Sequence, residues 1–297
     1  MNTVAKYASL VRFAHTIFAM PFALMAFVHA AVTEPGATCT PWLLAKVILC
    51  MVFARNTAMG FNRWADRRYD AENPRTAGRE IPAGVIPPRH ALGVASPRAA
   101  MTFVLANALL FVAVAATINP LAAALSPAAL CIVTGYSLCK RFTSAAHLVL
   151  GLSLAIAPVG AAIAVTGRIT EASLLLALLV LTWCGGFDII YALQDADFDR
   201  AHGLHSIPAR FGTRGALHIS ILLHACSAAA LLLFARHCPQ GPLLWTGVGV
   251  FLLLLALQHV LVTPTRQRRI AIAFGTLNGL ASLALALFVI ADLLLRA

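Results

Sequence analysis

Acidic side chains are scarce in this chain: 297 residues carry eleven of them, against 22 Lys and Arg. Carboxylate chemistry is therefore confined to the places where they gather. Eight (Asp66, Asp70, Glu72, Glu80, Asp188, Asp195, Asp197 and Asp199) fall in or just after two short stretches. Cysteine is also sparse and unpaired in pattern. Seven cysteines with no CxxC spacing give no thiolate metal site, and most lie in apolar segments, where they read as small buried hydrophobes. Cys39 and Cys238 fall on one side of the chain's topology and could pair. His90, His202 and His205 have no carboxylate at metal-ligand spacing, so they read as loop residues and not as zinc ligands.

Long polar stretches are rare too. The chain is 60% hydrophobic with a mean hydropathy of +0.84, more apolar surface than one soluble core of this length can hide. This predicts an integral membrane protein. Apolar runs long enough to cross a hydrocarbon layer of about 30 Å recur along it. Nine fit: residues 9–33, 42–63, 97–118, 121–138, 145–166, 171–193, 215–235, 242–262 and 270–294. The first could be misread as a signal peptide, but eight further spans follow it, and it reads as a retained helix. Pro21 within it predicts a kink.

The formal charge of +11 invites a nucleic-acid reading, which the placement of the charges removes. With a cytoplasmic N-terminus and nine spans, seventeen basic residues lie on one side and only Arg168, Arg236 and Arg296 on the other. Both acidic stretches then face the cytoplasm of a bacterial inner membrane. The whole chain, 1–297, reads as one membrane domain. Its first motif spans 62–70 with a polar, Pro- and Gly-rich cytoplasmic loop over 67–96, a candidate lid. Its second motif spans 188–199 with a shorter loop over 200–213.

Asn62, Asp66 and Asp70 align with Tyr191, Asp195 and Asp199 at a constant offset of 129, and Ile81-Pro82-Ala83 echoes Ile207-Pro208-Ala209. The fold class expected is therefore all-α, with nine transmembrane helices around a central cavity in two pseudo-repeated halves. Spans seven to nine carry little polar chemistry and are expected to serve packing alone.

On a continuous helix Arg55, Asn62, Asp66 and Asp70 share one face, as do Asp188, Tyr191, Asp195 and Asp199, whereas Asp197 points away and should be solvated. Carboxylates gathered one turn apart need a cation to be tolerated. Oxygen donors without a His/Cys cluster suit Mg2+, completed by water and a substrate phosphate, with nearby Arg and Lys on the remaining phosphate oxygens. The ligand implied is a Mg2+-bound diphosphate on a lipid chain. Its departure leaves an allylic cation that an electron-rich partner can attack in an apolar cavity. Arg55 and Asp188, deepest in their spans, could pair with each other, or Arg55 could bind an anionic acceptor.

These residues resemble the UbiA superfamily of intramembrane aromatic prenyltransferases. Asn62, Asp66 and Asp70 match its NxxxDxxxD pattern and Asp195 and Asp199 its DxxxD pattern, with Asp188 and Tyr191 upstream. Arg12-Phe13, the segment Tyr136, Lys140, Arg141 and Thr143, and Leu148-Val-Leu-Gly151 resemble the 4-hydroxybenzoate polyprenyltransferase branch. The resemblance implies Mg2+-dependent transfer of a polyprenyl group from its diphosphate to an aromatic carboxylate in ubiquinone or menaquinone synthesis, with no obligate protein partner evident. By position it implies that Asn62, Asp66, Asp70, Asp195 and Asp199 bind the metal, with Arg67, Lys140 and Arg141 on phosphate and Arg55 or Arg12 suited to the acceptor's carboxylate. Arg63 stands where many relatives have Asp. The loop from Phe198 to Phe211 looks like a sub-branch whose members act on 1,4-dihydroxy-6-naphthoate. A CDP-alcohol phosphatidyltransferase would show a single cluster opening Asp-Gly, but Arg67 follows Asp66 and a second cluster exists. A transporter would spread polar residues through the midplane of several helices.

Overall fold

The computed structural model describes residues 19–37, 39–79, 81–83, 97–264 and 269–297. Its regular elements are helical: α1 (Met20–Thr33), α2 (Pro41–Ala65), α3 (Arg67–Glu72), α4 (Pro97–Ala116), α5 (Pro120–Cys139), α6 (Ala146–Thr166) and α7 (Glu171–Ala192). After a 3-10 turn (Leu193–Asp195) come α8 (Ala196–Ala201), α9 (Ile207–Ala235), α10 (Pro242–Leu261), a π turn (Ile272–Leu277) and α11 (Asn278–Arg296). Among the described residues seven helices are long and apolar enough to cross a membrane, and α1 and the Met101–Ala116 part of α4 are shorter apolar helices. The chain is an integral, multi-pass membrane protein.

Proline opens many of these helices. Pro41, Pro97, Pro120 and Pro242 are the first residues of their helices, and Pro21 and Pro208 lie in the first turn of theirs, where no intrahelical N–H is lost. Pro21 lies in the first turn of α1; residues 9–18 of the expected first span, with Arg12 and the chain ahead of the expected kink, lie outside the described residues. The seventh span also begins earlier than its hydropathy predicts. Ser206 caps α9 by accepting from the Ala209 N–H, and Gly212, at φ +66°, bends the helix before its apolar part begins. Residues expected in the 200–213 loop are thus largely helical.

The chain divides into two compact units. One includes Ile48–Leu138, where Asn56 Nδ2 donates to Asn107 Oδ1 (3.0 Å) and ties α2 to α4. The other includes Ile17–Val47 and Cys139–Ala297, and its core is aromatic. Trp183 packs against Phe22 (5.1 Å between centroids), Phe187 (4.9 Å) and Phe251 (6.1 Å). Gly151 lets α6 approach the α7 backbone so closely that a Cβ there would run into the Leu181 carbonyl.

The last three spans pack, as expected, but partly through buried polar side chains. The indole of Trp183 and the amide of Gln258 both donate to Asn278 Oδ1, at 3.0 and 2.8 Å. Asn278 Nδ2 in turn donates to the Ala273 and Phe274 carbonyls at 3.0 and 3.1 Å. Those carbonyls belong to the π turn, whose wider spacing leaves backbone acceptors for a side chain to satisfy. His224 Nε2 donates to the Trp183 carbonyl (3.2 Å), and its Nδ1 lies 2.8 Å from His259 Nε2. Polar side chains in a nonpolar medium have to find each other, and here they fasten α7, α9, α10 and the π turn together.

Candidate active site

Both aspartate motifs sit on broken helices, not on the continuous ones that the shared-face expectation assumed. In the first, α2 ends at Ala65, Asp66 takes φ −90° and ψ 5°, and the six-residue α3 follows. In the second, α7 ends at Ala192, the 3-10 turn leads to Asp195 at φ −105° and ψ 2°, and the six-residue α8 follows. The offset of 129 maps Asp66 onto Asp195 and Arg67–Glu72 onto Ala196–Ala201, so the repeat seen in the sequence is present in the backbone. Each break lies in the sparsely allowed bridge region, which active-site residues often occupy, and short polar side chains such as Asp tolerate leaving the helix there. Its effect is to re-aim Asp70 and Asp199 relative to the residues upstream of the break.

Around the first break, Asn62 Nδ2 donates to Asp66 Oδ2 (2.9 Å). Asp70 is buried, and Arg79 Nη1 donates to its Oδ1 at 2.6 Å. The Thr76 hydroxyl donates to the Asp70 carbonyl (3.1 Å), which folds the following turn back onto the motif. Arg67 is held by its own turn: Nη1 donates to the Trp64 carbonyl (2.6 Å) and the guanidinium lies 4.9 Å from the Trp64 ring centroid. Deeper in α2, Arg55 interacts electrostatically with Tyr136, as do Arg63 and Asp66. Arg63 is itself buried.

Around the second break, Asp195 and Asp199 are both buried. Lys140 Nζ lies 3.2 Å from Asp199 Oδ2, and the Leu204 N–H donates to the Asp199 carbonyl (2.8 Å). The His205 N–H donates to the Lys140 carbonyl (2.6 Å), pinning the loop after α8 to the turn after α5, where Arg141 is exposed. Tyr191 stacks on Phe274 with centroids 4.2 Å apart. Asp197 is solvated as expected, with 97% of its side chain exposed and Arg200 as its partner. Asp188 has a partner that sequence reasoning missed: His147 Nδ1 donates to its Oδ2 at 2.6 Å. Arg79 was likewise not singled out. A signal for His147 existed, because a histidine within one apolar span and an aspartate within the next are both costly in lipid unless paired.

Among the described residues no three His, Cys, Asp or Glu side chains gather closely enough to hold a metal by themselves. The donor set still suits a hard cation, because Mg2+ takes few protein carboxylates and keeps water and phosphate. One atom points to it directly: Asp70 Oδ2 is buried without a hydrogen-bond partner, an arrangement that costs free energy unless something binds there. Glu80, His90 and residues 84–96 of the expected lid lie outside the described residues.

Residues 19–280 match the UbiA prenyltransferase family. A 4-hydroxybenzoate octaprenyltransferase of Aeromonas hydrophila is 32% identical over 187 residues, 61% of this chain and 62% of that protein. One from Tolumonas auensis is 33% identical over 168 residues, 57% of this chain and 56% of that protein. The matches thus span only about three fifths of the length of these curated relatives. The apo structure of a UbiA homolog from Aeropyrum pernix K1 superposes with a TM-score of 0.77 at 29% identity, covering 95% of this chain and 98% of that one. A UbiA homolog from Archaeoglobus fulgidus, solved bound to DMAPP and Mg2+, gives 0.73 at 18% identity, over 97% and 99% of the two chains, and shares the fold. With most of its length matched and two aspartate motifs repeated at equivalent helix breaks, the chain belongs to the UbiA prenyltransferase family.

Proposed function

We propose that this protein transfers a prenyl group from a prenyl diphosphate to an aromatic carboxylic acid, with 4-hydroxybenzoate as the acceptor, in quinone synthesis. The observation that carries this reading is the pair of matched breaks at Asp66 and Asp195, each followed four residues on by a buried aspartate beside a cation. Asn62, Asp66, Asp70, Asp195 and Asp199 are the residues that would hold Mg2+ with its diphosphate. When bound, the metal neutralises charge that builds on the departing diphosphate.

The chain's own residues supply the rest. Lys140, Arg141 and Arg67 contact phosphate oxygens, and Arg55, deep in α2, takes the acceptor's carboxylate. Tyr191, fixed by Phe274, presents its ring to the allylic chain, and Asp188 lies on the same helix upstream. The apolar helices exclude water that would quench a carbocation. The excess of basic residues on the side expected to carry both motifs supports a site at the cytoplasmic face of the bacterial inner membrane. The 4-hydroxybenzoate octaprenyltransferase relatives support the acceptor, and 1,4-dihydroxy-6-naphthoate is the competitor to test. The experiment offers both acids and a labelled prenyl diphosphate to purified protein in detergent, with and without Mg2+, and identifies the product by mass. Transfer to 4-hydroxybenzoate that requires Mg2+ is expected; exclusive naphthoate product moves the protein to the other branch, and no aromatic product at all removes the reading.

A further inference from the structure

His147, at the second position of α6, is fully buried, yet both of its ring nitrogens are engaged. Nε2 lies 3.3 Å from the backbone nitrogen of Ile207, which can only donate, so Nε2 accepts and carries no proton. The ring proton therefore sits on Nδ1, which donates to Asp188 Oδ2 at 2.6 Å. Acceptance from Ile207 thus fixes the ring's tautomer and turns the Nδ1–H toward Asp188. The Ile207 N–H belongs to the first turn of α9, where backbone donors have no intrahelical partner, and His147 supplies one.

Asp188 differs from its partner in being reachable: 19% of its side chain is accessible, against none for His147. With Oδ2 occupied, Oδ1 is the oxygen left to meet a ligand. An ionisable side chain placed this deep in a spanning helix is costly, and such groups mark functional positions.

We infer that His147 is a positioning residue for Asp188, and that Asp188 Oδ1, aimed by this contact, accepts the proton that the aromatic ring loses on prenylation. This deepens the prenyl-transfer reading and rests on it. In the step, the carbon–oxygen bond to diphosphate breaks and its electron pair leaves on the diphosphate. A π pair of the ring forms the new carbon–carbon bond. The C–H bond at the attacked carbon then breaks, its electrons restore aromaticity, and the proton goes to Asp188 Oδ1. Charge and atoms balance without an oxidant.

The test compares wild type with His147→Phe, His147→Asn and Asp188→Asn, using geranyl diphosphate, Mg2+ and either ordinary or ring-deuterated 4-hydroxybenzoate. Phe removes the donor, and kcat is expected to fall roughly 10- to 100-fold, as when an orienting partner is lost, while KM for geranyl diphosphate holds. Asn, whose amide can donate near the Nδ1 position, is expected to recover most of that loss. In His147→Phe and Asp188→Asn the ring proton leaves slowly, so the deuterated acceptor reacts measurably more slowly than the ordinary one. A purely structural tie would lower activity without an isotope effect. Wild-type kcat in Asp188→Asn, or reduced kcat with no isotope effect there, overturns the inference, and this holds even if His147→Phe fails to fold. Failure of the wild type to prenylate any aromatic acid strikes the functional reading instead.

Discussion

The two aspartate motifs have the same backbone and different support. Both leave the helix at the middle aspartate with nearly equal dihedral angles and resume for six residues. The first is braced locally: Asp66 by Asn62 four residues back, and Asp70 by Arg79 nine residues on. The second is braced from a distance: Asp199 by Lys140, 59 residues earlier in the chain, and Asp188 by His147, 41 residues earlier. A duplicated element can thus keep its geometry while the cations around it come from different places. What the repeat retains is the backbone break at the middle residue.

If the motifs are functionally equivalent, damage to either should be equally severe, and the largest effects test this. Chelation of divalent cations is expected to abolish transfer, and re-adding Mg2+ should both restore it and raise the thermal midpoint in proportion to binding. A smaller rise in Asp70→Asn, whose Oδ2 is the orphaned oxygen, would assign part of that binding to the first motif. Asp66→Ala and Asp195→Ala should each cut turnover by about 1000-fold, the scale set by losing one preorganised electrostatic group. Full turnover in either variant breaks the equivalence.

Smaller effects sharpen the difference in bracing. Arg79→Ala leaves Asp70 buried without its cation and should lower stability by about 3 kcal/mol, read as the denaturation midpoint in detergent. Lys140 is 34% exposed, so Lys140→Ala should cost little stability and instead raise KM for the prenyl diphosphate. Arg55→Ala should raise KM for the aromatic acid about tenfold with kcat nearly unchanged, the mark of lost uniform binding. The mildest test is chemical. Cys238 is buried beside Asp292, and burial first and that carboxylate second push its thiol up to about 12. At pH 8 roughly one Cys238 in ten thousand is ionised, so maleimide should label exposed Cys39 and spare Cys238 until the pH approaches 12. Both thiols are free, and the pairing considered for them does not form.

Much of the site was legible because its signals are local. Asn62, Asp66 and Asp70, and Asp195 and Asp199, stand out by spacing, and the repeat at an offset of 129 predicted the equivalence that the backbone displays. Asp197 is solvated, as its spacing predicts. Three things were not legible. The breaks at Asp66 and Asp195 carry no sequence mark, because Asp fits an even helical advance as well as it tolerates leaving the helix. Arg79 was passed over because it lies in a loop with no periodicity to read. The Asn278, Gln258 and Trp183 cluster has no local signature because each polar residue is isolated in its own span, and only their convergence makes a network.

Hydropathy and helical period act over a few residues, so the order of the chain alone determined that this protein is an all-α membrane protein with two acidic turns related by repetition. Which helix lies beside which depends on side-chain fit, such as the bare surface of Gly151 against α7. Folding therefore decided what sequence spacing could not: that His147 closes on Asp188, that Lys140 closes on Asp199, and that the last spans share a buried polar knot. In lipid, where apolar burial between helices gives little drive, these hydrogen bonds and close contacts are what distinguish one packing from another.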